Sequence, residues 1–184
     1  YGAQDPTYPE MYSVAKHRVA TQVSVSVLNA WHGWHTDLTA AINPPAASIL
    51  RGDVVPPYGG DTMFTDLITA YRKLSPLMRE FVDGLRAIHS FDPPPGAKAS
   101  ADFLKAKDAH ELVSEHPLVR VHPETGERAL YVSPGFIKSI VGLTPTESRR
   151  MLDLLWEHAV RNELTVRFKW EPGSIAFWDN RSTA

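Results

Sequence analysis

Short stretches in which apolar and polar residues strictly alternate constrain this chain most. In residues 22–28, Val23, Val25 and Val27 fall on one face and Ser24 and Ser26 on the other. A period of two marks a half-buried strand, because successive side chains leave opposite faces of a pleated backbone. Residues 163–170 repeat the pattern, with Val166, Phe168 and Trp170 set against Thr165, Arg167 and Lys169. Further short strands are expected at 47–50, 128–132 and 174–178. Two segments carry helix signals instead. Ser75 can cap and Pro76 takes the first helical position, ahead of a stripe of Leu77, Phe81, Leu85 and Ile88 expected to pack on the core. Thr144-Pro145-Thr146-Glu147 is a capping box with Pro inside it, followed by Met151, Leu152, Leu155 and Ala159. Short strands with two helices predict a mainly β domain, a sandwich core with flanking helices.

Length and composition narrow the classes. A chain of 184 residues that is 43% apolar supports one domain, residues 1–184, around one core. A net charge of −2 gives no electrostatic case for nucleic acid or an anionic membrane. No run of eighteen apolar residues spans a bilayer. The absence of cysteine removes disulfides, thiolate catalysis and Cys-ligated zinc or iron–sulfur sites, which fits a cytoplasmic setting. Assembly into a homo-oligomer is left open. The chain opens without Met and stops in what reads as mid-element, so it is expected to be incomplete at both ends. Residues 92–115 start with three prolines and turn Ala-, Lys- and Asp-rich, and a stretch this long without a pattern reads as a mobile lid.

Chemistry concentrates at His35-Thr36-Asp37. Two residues apart on a strand end, an imidazole and a carboxylate point to one face. They form two-thirds of a 2-His-1-carboxylate triad, which suits Fe(II) and leaves three positions open. His32 stands three residues before His35, on the opposite face of an extended segment, and reads as a supporting or surface residue. His17, His89, His110, His116, His122 and His158 lack ligand spacing and take structural roles.

The longer strings carry more. Trp34-His35-Thr36-Asp37-Leu38-Thr39 is followed by Asn43-Pro44-Pro45-Ala46-Ala47 and by Tyr58-Gly59-Gly60-Asp61-Thr62. Then come His116-Pro117-Leu118-Val119-Arg120-Val121-His122-Pro123, and Ala129-Leu130-Tyr131-Val132 with Gly135-Phe136. Phe177-Trp178-Asp179-Asn180-Arg181-Ser182-Thr183 closes the series. In this order they resemble the taurine dioxygenase family of Fe(II)/2-oxoglutarate oxygenases, which includes alkylsulfatases and aryloxyalkanoate dioxygenases. The resemblance covers nearly everything from Trp34 onward.

It implies a double-stranded β-helix, or jelly roll, holding Fe(II) with 2-oxoglutarate as co-substrate and O₂ as oxidant. The expected product is a hydroxylated small anionic substrate (sulfonate, alkyl sulfate or aryloxyalkanoate), with succinate and CO₂ as co-products. By the same resemblance His35 and Asp37 ligate the metal and a third ligand, a His, follows just beyond Ala184. Thr62 takes the family position of a Thr that helps bind 2-oxoglutarate, while the family's Arg partner would lie beyond Ala184. Asp179-Asn180-Arg181 delivers the third ligand and orients the site. Phe136 matches an aromatic that walls the substrate pocket, and Tyr8 and Tyr12 match substrate-facing residues of an early loop. Trp31 replaces an Asn that contacts amino-sulfonate in taurine-specific members, and Ala40 replaces an aromatic. Both changes imply a more apolar or bulkier substrate than taurine. Two rivals remain: a non-catalytic jelly-roll binding module without its metal site, and a metal-dependent hydrolase using His35, Asp37 and His32.

Overall fold

The computed structural model describes Thr7, Tyr8, Met11, Val14 and residues 33–91 and 112–184. Contacts group the chain into two units, Tyr1–Asn29 with Asp92–Glu111, and Ala30–Phe91 with Leu112–Ala184. All strands and helices of the described residues belong to the second. The expected strand at 22–28, Tyr12, Trp31, His32 and residues 92–111 of the lid range lie outside the described residues.

The fold is mainly β, and every strand pair among the described residues is antiparallel. β1 (Ala47–Arg51) pairs with β9 (Ile175–Asp179), setting Ser48 opposite Trp178. β2 (Thr62–Thr65) pairs with β8 (Thr165–Phe168). Early strands thus meet late ones. β3 (Arg86–Ser90) runs between β4 (Val113–Pro117) and β7 (Ile137–Ile140), with a bulge at Ile88/His89. β5 (Val119–Val121) and β6 (Arg128–Leu130) form a hairpin. β4 therefore takes Val113 to Glu115 out of the range read as a lid.

Among the described residues, three α-helices flank the strands. α1 (Leu67–Arg72) starts where the Asp66 carboxylate accepts from the Ile68 and Thr69 amides. α2 (Pro76–Asp83) is capped by Ser75, and α3 (Pro145–Ala159) by the expected Thr144–Glu147 box. Leu67, Ala70, Leu118, Leu130, Leu155, Trp156 and Ala159 meet in one core. Each large apolar side chain buried there contributes about 1.5–3 kcal/mol. Among the described residues no helix is long and apolar enough to cross a membrane.

The apolar stripe assigned to α2 needs correction. The helix ends at Asp83 with Gly84 as its cap, so Leu85 lies beyond it and Ile88 belongs to β3. Leu77 is 79% exposed and Phe81 47%, whereas Val82 is fully buried and Met78 packs on the core. The core took the row one residue along. The apparent four-position stripe had joined a helix to a strand of a different period.

After β9 the backbone returns along the β2–α1 junction. The Leu67 amide donates to the Ser182 carbonyl at 3.0 Å, and the Thr65 amide donates to the Ala184 carbonyl at 2.9 Å.

Candidate metal centre

His35 and Asp37 converge, but not from a strand. Residues 34–36 are irregular and 37–40 form a turn, with Leu38 in the left-handed region at φ +54°. The reason lies in the partners of the Asp37 backbone. Its amide donates to Asn180 Oδ1 at 2.8 Å, and Asn180 Nδ2 donates back to its carbonyl at 2.9 Å. One side-chain amide thereby replaces a neighbouring strand. Asn180 is 1% exposed and also donates to the Pro45 carbonyl.

The rest of the loop is held on both sides. The Thr36 amide donates to Ser133 Oγ at 3.1 Å, and Thr36 Oγ1 donates to the Thr183 carbonyl at 3.2 Å. Thr39 Oγ1 shares a 2.9 Å hydrogen bond with His89 Nδ1, and Ser114 Oγ donates to the Thr39 carbonyl. His89 is fully buried, and burial first, then the nearby His116, pushes its pKa down to about 3.

On this clamped loop, His35 Nε2 lies 3.3 Å from Asp37 Oδ1. A carbonyl can only accept, so the 2.9 Å contact of His35 Nδ1 with Gly33 O places the ring hydrogen on Nδ1. In the neutral ring Nε2 then presents its lone pair to a carboxylate oxygen. Two electron-rich atoms that close call for a cation, either a proton or a metal. The Asp37 hydrogen bond raises the His35 pKa, against burial, with Gly33 assisting. Burial opposes ionisation of Asp37, but hydrogen bonds from His35 in its protonated form and from Ser48 outweigh it and hold its pKa below the usual carboxylate value. Ser48 Oγ donates to Asp37 Oδ2 at 2.6 Å. A neutral nitrogen with its far side anchored on a carbonyl, beside an anionic oxygen, fits a divalent first-row metal. The His35 side chain is 55% exposed, so the pair is accessible. Among the described residues no group of three or more His, Cys, Asp or Glu is placed to hold a metal.

A second polar cluster ties β9 down next to Asn180. Asp179 accepts from Arg181 and, at 2.9 Å, from His122 Nε2, while Arg181 Nη1 reaches Glu124 at 2.6 Å. The Glu124 and Thr125 amides donate to His122 Nδ1, so His122 carries its hydrogen on Nε2. The Arg181 guanidinium, against burial and with His122 assisting, holds the Asp179 carboxyl well below the usual range.

The other expected site residues are placed as follows. Thr62 Oγ1 accepts from Trp170 Nε1 at 2.9 Å and keeps its own hydrogen to donate. Among the described residues no hydrogen bond joins Thr62 to His35 or Asp37. Phe136 is half-buried and stacks on Phe91 with ring centroids 5.5 Å apart. A Cβ added to the adjacent Gly135 would stand 3.9 Å from His35 Cβ, so this turn runs beside His35. Tyr8 is 55% exposed. Ala40 is buried. Ser48, Ser133 and His89 were not legible as site residues, because a single Ser or His carries no spacing signal.

Comparison with known proteins follows the same lines. The alpha-ketoglutarate-dependent sulfate ester dioxygenase of Pseudomonas putida is 42% identical over 160 residues, 83% of this chain and 52% of its own. A taurine dioxygenase from Burkholderia xenovorans superposes with a TM-score of 0.80 at 58% identity, over 98% of this chain and 55% of the other. The structure of AAD-2 in complex with Mn(II) and N-oxalylglycine superposes with a TM-score of 0.70 at 28% identity, over 82% of this chain and 58% of the other. The chain spans about half the length of the curated relatives it matches. A family model matches residues 1–184 throughout, and the chain belongs to that family, taurine catabolism dioxygenase TauD, TfdA.

Proposed function

We propose that the protein is an Fe(II)- and 2-oxoglutarate-dependent dioxygenase that hydroxylates a small anionic organic substrate: an alkyl sulfate, a larger sulfonate or an aryloxyalkanoate. One observation carries the reading. His35 Nε2 faces Asp37 Oδ1 at 3.3 Å while the ring hydrogen is committed to Gly33. His35 and Asp37 would hold the metal, and a His just beyond Ala184 would complete the set. The Thr36–Thr183 hydrogen bond supports that placement, because it seats the backbone near Ala184 against the residue between the two ligands.

Bound there, Fe(II) would let O₂ hydroxylate a substrate C–H, with 2-oxoglutarate giving up the other two electrons as it becomes succinate and CO₂, one oxygen atom going to each product. The chain's residues aim and exclude. Gly33 fixes the His35 tautomer, and Asn180 fixes the loop. The free Thr62 hydrogen is available to the distal carboxylate of 2-oxoglutarate, and Phe136 would wall the substrate pocket; Trp31, Tyr8 and Tyr12 are assigned to substrate by the family resemblance alone. Hydroxylation at the carbon bearing the heteroatom makes the product collapse to a carbonyl compound and sulfate, sulfite or a phenol. Sulfate esters lead because a relative at 42% identity is named for them. The strands, pairing early with late, would close into a double-stranded β-helix within one domain. A cytoplasmic setting suits this chemistry, with a small molecule and O₂ as partners and neither nucleic acid nor membrane.

The test is coupled turnover by the full-length protein. Succinate should form only when Fe(II), O₂ and 2-oxoglutarate are all present, and Asp37→Ala should abolish it. Thr62→Val should raise the 2-oxoglutarate requirement roughly 10- to 100-fold, the equivalent of about 1.5–3 kcal/mol for one hydrogen bond to a charged group. Alkyl sulfates should outpace taurine when sulfate, sulfite and phenol release are assayed side by side. Turnover without 2-oxoglutarate overturns the class, and taurine as the preferred substrate overturns the substrate assignment. Binding with no turnover on any substrate favours the non-catalytic module.

A further inference from the structure

The two oxygens of Asp37 have different surroundings. Oδ1 lies 3.3 Å from His35 Nε2, whereas Oδ2 accepts a 2.6 Å hydrogen bond from Ser48 Oγ. An ionised carboxylate only accepts, so the single hydroxyl hydrogen of Ser48 is committed to Oδ2. Ser48 stands on β1, held in register opposite Trp178 of β9, so a paired strand rather than a free loop delivers the hydroxyl. The Asp37 backbone is fixed separately, by Asn180 on its amide and its carbonyl. Loop position and carboxylate rotation are therefore under independent control.

We propose that Ser48 is a positioning residue that makes Asp37 a one-oxygen ligand, holding Oδ2 so that Oδ1 alone is presented beside His35 Nε2. The proposal rests on the metal reading above and deepens it. A carboxylate can offer a metal one oxygen or both. A second oxygen would take up one of the open positions on which this type of site depends. By occupying Oδ2, Ser48 keeps that position free. A hydroxyl 11 residues along the chain from Asp37 thus sets how many places remain for co-substrate and oxidant.

Mn(II) is the probe, added to metal-free full-length protein as wild type, Ser48→Ala and Ser48→Thr. Free Mn(II) is read by its electron paramagnetic resonance signal, and the water molecules on bound Mn(II) are counted by water-proton relaxation. Ser48→Ala should carry about one water fewer than wild type, because Asp37 then offers both oxygens. Its Mn(II) affinity should fall roughly 10-fold, the usual effect of losing a partner that orients a ligand. Ser48→Thr restores the hydroxyl and should match wild type in both measurements. Thermal unfolding of the metal-free Ala variant should match wild type. A wild-type water number in Ser48→Ala overturns the proposal, whatever its affinity. Losses that Thr does not restore and that accompany a lower melting temperature overturn it too, since a structural defect explains them. If the wild-type protein takes up no Mn(II), the metal reading fails and this proposal with it. Wild-type uptake with an unresponsive Ala variant sinks the proposal alone.

Discussion

Asn180 fastens the His35–Asp37 loop to the other end of the chain through one buried side chain. Its three side-chain hydrogen bonds go to the Asp37 amide, the Asp37 carbonyl and the Pro45 carbonyl. Asn180→Ala leaves these groups without that partner in a buried setting. The expected cost is about 2–4 kcal/mol, read as a fall in melting temperature of roughly 5–15 °C. A fall under a degree or so would show that the loop is held chiefly by Thr36 and Thr39. The convergence of His35 and Asp37 was legible, because two ligand-type residues two apart form a pattern. Asn180 was legible only as part of a longer string, since its partner lies 143 residues away and no periodicity spans that gap. Nor could sequence reveal Leu38 in the left-handed region, where Gly or Asn would have signalled the turn.

Among the elements, β9 is the one on which the site leans. It pairs with β1, which carries Ser48, and its end carries Asn180. The β5–β6 hairpin grips that end through His122 and Asp179, with Arg181 bridging to Glu124. His122→Leu keeps much of the buried volume but removes the donor to Asp179. The expected cost is about 1.5–3 kcal/mol, seen as a lower urea midpoint with an unchanged slope. An unchanged midpoint would mean that Arg181 alone secures the strand. Elements with strong end signals were readable, as α2 and α3 show by starting at their caps. α1 was not, because six residues give too little periodicity to recognise. β3 was hidden differently. Arg86-Ala87-Ile88-His89-Ser90 reads as half polar, yet His89 is fully buried and hydrogen-bonded to Thr39.

For the whole molecule, that buried histidine sets an acid limit. The folded-state pKa of His89 is pushed down to about 3, mainly by burial. An unfolded histidine protonates near pH 6.5, so below that pH the unfolded chain takes up a proton that the folded core refuses until about pH 3. Stability should fall by about 1.4 kcal/mol per pH unit across this window. His116, also lowered by burial, acts in the same direction. His35 has the opposite sign. Its raised pKa contributes stability at low pH that is lost as pH rises, but its 55% exposed side chain keeps the contribution small. Melting temperature should therefore drop between pH 7 and pH 5, and less steeply in His89→Gln. Equal slopes for the two proteins would assign the acid limit elsewhere.

Which strands pair was the least legible level of all. Nothing in residues 47–51 announces 175–179 as their partner, because only burial and register decide it. The long-range bonds around the ligands have a consequence in time. Thr36 waits for Ser133, 97 residues later, and for Thr183, 147 residues later. At a ribosomal rate of roughly 5–20 residues per second, Asn180 emerges some 7–30 s after Asp37. Throughout that interval the nascent His-x-Asp pair has no scaffold to aim it. On the proposed metal reading, capture would be a late event in the life of the molecule, with half-made chains leaving the metal pool alone.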